Sequence, residues 1–570
     1  MGGFLSHLKP EKNLEVLNAT CGPIRGNIYR HGDKVVDGYL GIPFAKSPVG
    51  ELRYKKPVAA DKWTEPRDCY NYGPACPQSG KYAAMIPEGR VEFAEDGCLN
   101  LNIFTPRTNT TEFPNGLPVM VYFYGGGFEI GFSSSFNDYS LSGTLPLKDV
   151  VVVTVNYRVG PLGFLTTGDN EARGNYGLWD QKLSLQWVQK HILSFGGDPN
   201  SVTIFGTSAG GASVDLLALS PHSNGLFHRF IASSGNAFCD FAVRPKAEEA
   251  RIFRDFAKFH GYVGNGNSDF PPLISCSSDS KSLLEWYQAQ PVSKFQEVEG
   301  FHNNASGFLS FVPNLDGDFF PTSFDELRKR APQLDAMVIN GEYEGLGWGY
   351  FEKEYQNSTE YFITAIQNAF GSDLVEKAPT VQKKIFDFYT GDIDRTDKVA
   401  MEKQLAEFVG DSWFNTGALD ATRSCAKYGN KVYLGSFNYF NMEQDNDVSR
   451  MLPFKGAAHG ADLKYTLGDA LMMPFEPVEE ELKVMNLIGT FVTNFAKYGN
   501  PNEKSNSVLG QEIGTWDSYT LEEPLKYFKI DYPKSEMGDN YQNGRLELYD
   551  EINRKYGRKY HEIIYGNSAQ

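Results

Sequence analysis

"TIFGTSAGGASV", residues 203–214, holds Ser208 in a Gly-x-Ser-x-Gly frame between Gly206 and Gly210. The frame alone decides nothing, because at this chain's glycine and serine content chance supplies roughly 0.4 such matches. Its flanks decide. "NSVTIFG" before the serine is apolar and β-branched, and "AGGASVDLLALS" after it reads as a buried helix. Strand, glycine-flanked turn and helix in direct succession lift a serine Oγ above a sheet edge. The same turn aims the N–H of Ala209 at an anion. Ser208 is a candidate nucleophile.

Outward from the corner the pattern repeats. "GLPVMVYFYGGGF" and "DVVVVTVNYRVGPLGFL" are apolar β-rich runs that each end in a glycine turn. "GLWDQKLSLQWVQKHILSFGG" has helical apolar spacing and stops at a Gly-Gly-Asp-Pro loop. "RFIASSG", "LDAMVING" and "KVYLGSFNYF" are further strands with helical stretches between them. Near the start, "LEVLNATCGPIRGNIYR" and "KVVDGYLGIPFA" alternate around "HGD" and predict a hairpin. Alternating β and α elements imply a mainly parallel sheet covered on both faces. The loops near 261–281 and 500–514 read as surface connections, so the 570 residues predict one large α/β domain with insertions.

A serine needs a base, and acyl transfer needs donors for an oxyanion. The triple glycine Gly125, Gly126, Gly127 follows a strand and can offer unobstructed backbone N–H groups. Each such donor stabilises a transition state by about 3–4 kcal/mol. In α/β-hydrolases the acid and then the histidine follow the serine in the chain. Of nine histidines, only His459 and His561 lie beyond residue 344. His561 sits in the charged "RKYHEII", whereas His459 sits among small residues in "FKGAAHGADLKY" after a strand. His459 is the candidate base. For the acid, "LDAMVINGEYEGLGW" offers Glu342 and Glu344 just past a strand, on one face of an extended segment. The local pattern leaves both open.

Composition excludes several function classes. Net charge is −17 with no basic cluster, which argues against nucleic acid as a partner. No apolar run reaches membrane-spanning length, since "DVVVVTVNYRVGPLGFL" is interrupted by Asn156, Arg158 and Pro161. "MGGFLSHLKPEKN" has no apolar core of a secretory signal but fits Met-Gly-x-x-x-Ser through Gly2 and Ser6. Gly2 is a candidate for N-myristoylation, and one acyl chain holds a protein only weakly at a membrane. Seven cysteines in no metal-ligand spacing make reduced thiols and a cytoplasmic location the expectation. The sequons at Asn18, Asn109, Asn304 and Asn357 would then stay unmodified. No zinc signature or phosphate loop occurs, so neither metal nor organic cofactor is expected.

Taken together, "GYLGIPFAKSPVGELRYKKP", "CLNLNIFTP", "YGGGF", "NYRVGPLGFL", "GNYGLWDQ", "FGGDPNSVTIFGTSAGGASV" and "AAHGADLKYTLG" resemble the type-B carboxylesterase and cholinesterase family over nearly the whole chain. The resemblance implies the α/β-hydrolase fold over 15–550, after a tail of 1–14 and before a polar tail of 551–570. It implies Ser208 as nucleophile, His459 as general acid/base and Glu344, the glutamate followed by glycine, as its partner. Gly126, Gly127 and Ala209 match the oxyanion donors, Arg53 and Glu95 a structural ion pair, and Cys76 and Cys98 the first disulfide. Cys276 has a counterpart in a second disulfide whose other half is missing here. That loss fits an intracellular form, in which Cys76 and Cys98 could also stand reduced.

Two departures stand out. Thr207 replaces the glutamate usual before the nucleophile, which removes a buried carboxylate near the histidine. The segment between Cys76 and Cys98 contains no tryptophan, so choline esters are not the expected substrates. The chain is most similar in these features to cytosolic animal esterases, nematode intestinal ones among them. The implied reaction is hydrolysis of a small-molecule carboxylic ester through an acyl-enzyme. Its rivals are acyl transfer to an alcohol or amine, and a non-catalytic cholinesterase-like interaction protein. The latter typically lacks a triad member and carries export and membrane segments. Oligomeric state is not legible in the sequence.

Overall fold

The runs Leu117–Phe123 and Val151–Val155 are buried at every residue, as strands covered on both faces must be. A computed structural model of the protein, describing residues 8–79, 91–108, 111–263, 277–298, 301, 309–347, 358–370, 378–441, 452–469, 475–502, 512–556 and 561–566, places them side by side in a 13-stranded sheet. The strand order is Glu11–Lys12, Asn27–His31, Lys34–Pro43, Asn100–Pro106, Val151–Val155, Leu117–Phe123, Gly197–Thr207, Arg229–Ser233, Asp335–Gly341, Val432–Phe437, Tyr527–Ile530, Lys534–Gly538, Glu512–Ile513. From Val151–Val155 to Tyr527–Ile530 every pairing is parallel. The helices Tyr176–His191, Ala209–Leu219, Thr416–Lys427 and Glu479–Tyr498 pack on these strands. This is the α/β-hydrolase fold.

The hairpin forms with His31 opposite Lys34, closed by Gly32 in the left-handed region at φ 65° and by Asp33. The helix Tyr176–His191 tightens into the 3-10 turn Ile192–Phe195 and stops at Gly196, whose φ is 84°. The expected Gly-Gly-Asp-Pro loop is shorter than read. Gly197 already pairs with Leu117, and an irregularity in register lies between it and Val202. A leading edge strand, Glu11–Lys12, adds to Asn27–His31 before residue 15. At the other end, position 551 lies inside the helix Glu547–Tyr556. Ile552, Ile563 and Ile564 are buried in the core, so this stretch packs onto the fold and is not a solvated polar tail. Within 261–281 the helix Ser277–Ala289 begins, and within 500–514 lies the strand Glu512–Ile513. Gly2, Ser6, Asn109, Cys276, Asn304 and Asn357 lie outside the described residues. No helix among the described residues is long and apolar enough to cross a membrane.

Candidate active site

The strand Gly197–Thr207 hands directly to the helix Ala209–Leu219 through Ser208, whose backbone sits at φ 61°, ψ −125°. A non-glycine residue held there costs about 1–3 kcal/mol, so the surroundings must impose it. They do. The Ser208 N–H donates to the Ser233 carbonyl at 2.8 Å, and the Ser208 carbonyl accepts from Ala212 N–H at 2.9 Å. Strand and helix approach more closely than side chains permit: a Cβ on Gly210 would lie 2.0 Å from the Phe123 carbonyl oxygen. The triple-glycine loop lies against the corner, with the Cβ position of Gly125 only 2.9 Å from Cβ of Ser208. Gly126 and Gly127 both take positive φ, 114° and 63°. Ser208 itself is half-buried.

Past Asp335–Gly341 the chain turns back on itself instead of continuing extended. The Gly341 N–H donates to Glu344 Oε1, and the Tyr343 N–H donates to the Ala457 carbonyl at 2.9 Å. The two glutamates therefore part company. Glu342 is only part-buried, and burial raises its carboxyl against the pull of Lys529 and Asn438. Glu344 is 0% exposed; its Oε1 accepts from Ser234 Oγ at 2.6 Å and its Oε2 meets His459 Nδ1 at 2.6 Å. A glycine must follow, because a Cβ on residue 345 would lie 2.1 Å from the Ala406 carbonyl oxygen. His561 opens the helix His561–Tyr565.

Three neighbours escaped the sequence reading. Ser234, in left-handed backbone at φ 51°, donates to Glu344; the "SSG" after its strand was the available signal. Phe414 lays its ring 4.5 Å from that of His459, tilted by 36°, and nothing in its local sequence marks it. Asp462, three residues past His459 and 7% exposed, supplies a carboxylate near this pair although Thr207 does not. Burial, reinforced by the charge on Glu344, pushes the Asp462 carboxyl up to about 6, while hydrogen bonding from Ser233 and the charge of His459 oppose the rise. Thr207 packs toward the histidine loop, its Cγ2 3.8 Å from where a Cβ on Gly460 would be.

Away from the corner, Arg53 Nε donates to Glu95 Oε1 at 2.7 Å, and both side chains are 11% exposed. The same guanidinium donates to the Gln290 carbonyl at 2.7 Å and so ties two distant segments. Cys76 and Cys98 are joined in a disulfide, with Cα atoms 4.8 Å apart. Residues 80–90 between them lie outside the described residues.

Comparison with known proteins adds the lineage. The model of the Carboxylesterase family matches residues 13–549. Esterase cest-33 of Caenorhabditis elegans is 51% identical over 566 residues, 99% of each chain. Liver carboxylesterase 1 of Oryctolagus cuniculus is 32% identical over 506 residues, 85% of this chain and 84% of that one. Fatty acyl-CoA hydrolase precursor, medium chain, of Anas platyrhynchos is 31% identical over 522 residues, 88% and 85% of the two chains. Matched over most of its length by the family and by esterases both near and distant, the chain belongs to the type-B carboxylesterase family and is a serine carboxylesterase.

Proposed function

We propose that this esterase hydrolyses small-molecule carboxylic esters through Ser208, His459 and Glu344 in two steps with an acyl-enzyme between them. The observation that carries the reading is the fully buried Glu344 held against Nδ1 of His459 at 2.6 Å, on a loop that meets the strained Thr207–Ser208 corner. While Glu344 engages Nδ1, the other imidazole nitrogen takes the Ser208 proton as Oγ attacks the ester carbonyl carbon. The N–H groups of Gly126, Gly127 and Ala209 receive the oxyanion, a role supported by the loop's closeness to Ser208. The tetrahedral adduct collapses, the C–O bond to the alcohol breaks, and the alcohol leaves with the proton from His459. Water then gives a proton to His459 and attacks the acyl carbon; Ser208 departs with that proton and the carboxylic acid is released. Glu344 fixes the imidazole tautomer and stabilises its cation.

The test pairs wild type with Ser208→Ala. Wild type should turn over p-nitrophenyl acetate and take up a fluorophosphonate on Ser208, and the variant should do neither. Labelling without turnover would move the second step from water to another acceptor. Folded wild type that neither labels nor turns over would sink the mechanism.

A further inference from the structure

We propose that the π-helical turn Asp411–Asn415 is a positioning element for His459 that acts through the ring of Phe414. The proposal rests on His459 being the general base and deepens that reading.

The segments Lys398–Gly410, Asp411–Asn415 and Thr416–Lys427 form one continuous helical run whose middle five residues are π-helical. Both joints stay right-handed, with Gly410 at φ −58°, ψ −47° and Thr416 at φ −60°, ψ −46°. A π turn contains one residue more than an α turn, so it rotates every later side chain by about 100°. That widened turn persists only where its surroundings hold it. Here Asp411 is fully buried and accepts from Tyr389 Oη at 2.8 Å, Arg545 Nε at 2.6 Å and Asn415 Nδ2 at 2.9 Å. Asn415 Oδ1 accepts in turn from Asn340 Nδ2 at 2.9 Å. Asn340 belongs to the strand that delivers Glu344. At the head of the turn, the Cβ position of Gly410 is 3.1 Å from the Gly345 nitrogen and 3.3 Å from Glu344 Cβ. One turn is thus fastened to the acid's loop and carries, on its fourth residue, the ring that lies on the base.

Phe414 is itself held. It is 3% exposed, its ring centroid is 5.5 Å from that of Phe241, and its carbonyl accepts from the Cys239 thiol at 3.8 Å. The hydrogen bond at Nδ1 does not by itself fix the tilt of the imidazole ring. An aromatic face 4.5 Å away restricts that tilt, keeps water off the imidazole, and favours the cation formed when His459 takes a proton. Among the described residues, the charged groups that face His459 include Glu344, through Nδ1, and Asp462 on its own loop; Asp411 of the turn is paired with Arg545 from beyond it. No bond or proton changes hands with Phe414.

The experiment compares wild type with Phe414→Leu, which keeps apolar bulk without a ring, and with Phe414→Ala. Two quantities are read: kcat and KM for p-nitrophenyl acetate, and the low-field proton resonance of the hydrogen between His459 Nδ1 and Glu344. We expect kcat to fall by about 10- to 100-fold with KM changed by less than about twofold, and the resonance to broaden or vanish. A folded leucine variant with wild-type kcat and resonance overturns the proposal. So does a loss confined to KM with the resonance intact, which would place Phe414 in the substrate pocket only. The resonance reports the His459–Glu344 geometry even in a protein without turnover, so failure of this proposal is distinguishable from failure of the esterase mechanism. Should the alanine variant not fold, the leucine variant decides.

Discussion

Asp462→Asn keeps the shape of a buried side chain and removes its charge. In the wild type, burial and the neighbouring charge on Glu344 raise the Asp462 carboxyl from 3.8 to about 6. A carboxyl raised on folding binds its proton more tightly in the native state than in the unfolded chain. The native state therefore loses stability as pH climbs from about 4 to about 6, and the loss is complete above that window. A rise of about two pH units corresponds to about 3 kcal/mol. The asparagine variant carries no such dependence. Variant minus wild type, the unfolding free energy should then grow by about 3 kcal/mol between about pH 4 and about pH 8. Urea unfolding across that range, followed by tryptophan fluorescence, measures it. Repeating the pair in a Glu344→Gln background should shrink the difference, because one cause of the raised carboxyl is gone. A difference that stays flat, or falls with pH, would refute the account of Asp462 as a buried carboxylate crowded by Glu344.

Further outcomes follow from the same geometry. Glu344→Gln leaves the packing in place but loses the charge that fixes the histidine tautomer; kcat for p-nitrophenyl acetate should drop by about 10⁴-fold, and retention of near-wild-type kcat would remove Glu344 from the mechanism. Gly345→Ala puts a methyl 2.1 Å from the Ala406 carbonyl oxygen. It should destabilise the fold by about 1–3 kcal/mol and lower kcat by displacing Glu344, read by chemical unfolding and steady-state kinetics. N-myristoylation at Gly2 is a proposal raised by the Met-Gly-x-x-x-Ser pattern alone. An alkynyl myristate fed to cells should label wild type and not Gly2→Ala, and an unlabelled wild type would end that idea.

Legibility in the sequence followed the range of the physical constraint. The corner at Ser208 could be read because strand, turn and helix are contiguous and because Gly206 and Gly210 sit where backbones touch. The parallel sheet could be read because "VMVYF" and "VVVTV" are apolar at consecutive positions, which suits strands covered on both faces. Glu342 and Glu344 could not be separated from their own pattern, since extended geometry puts both on one side. The turn that divides them depends on the Gly341 N–H, the hydroxyl of Ser234 on another strand, and a helix passing within contact of Gly345. The Glu-Gly pairing carried by family resemblance encodes that crossing without explaining it.

By itself, then, the sequence determined the order of elements, the corner that presents Ser208 and the histidine loop, because local glycines and apolar periodicity act over a few residues. Only the tertiary structure decided which carboxylate meets His459, that Asp462 stands near the pair although Thr207 brings no charge, and that a π turn lays Phe414 on the imidazole. Those outcomes are set by burial and by contacts between segments far apart in the chain. A buried charge has to find its partners wherever the fold brings them, and no stretch of neighbouring residues records where that is.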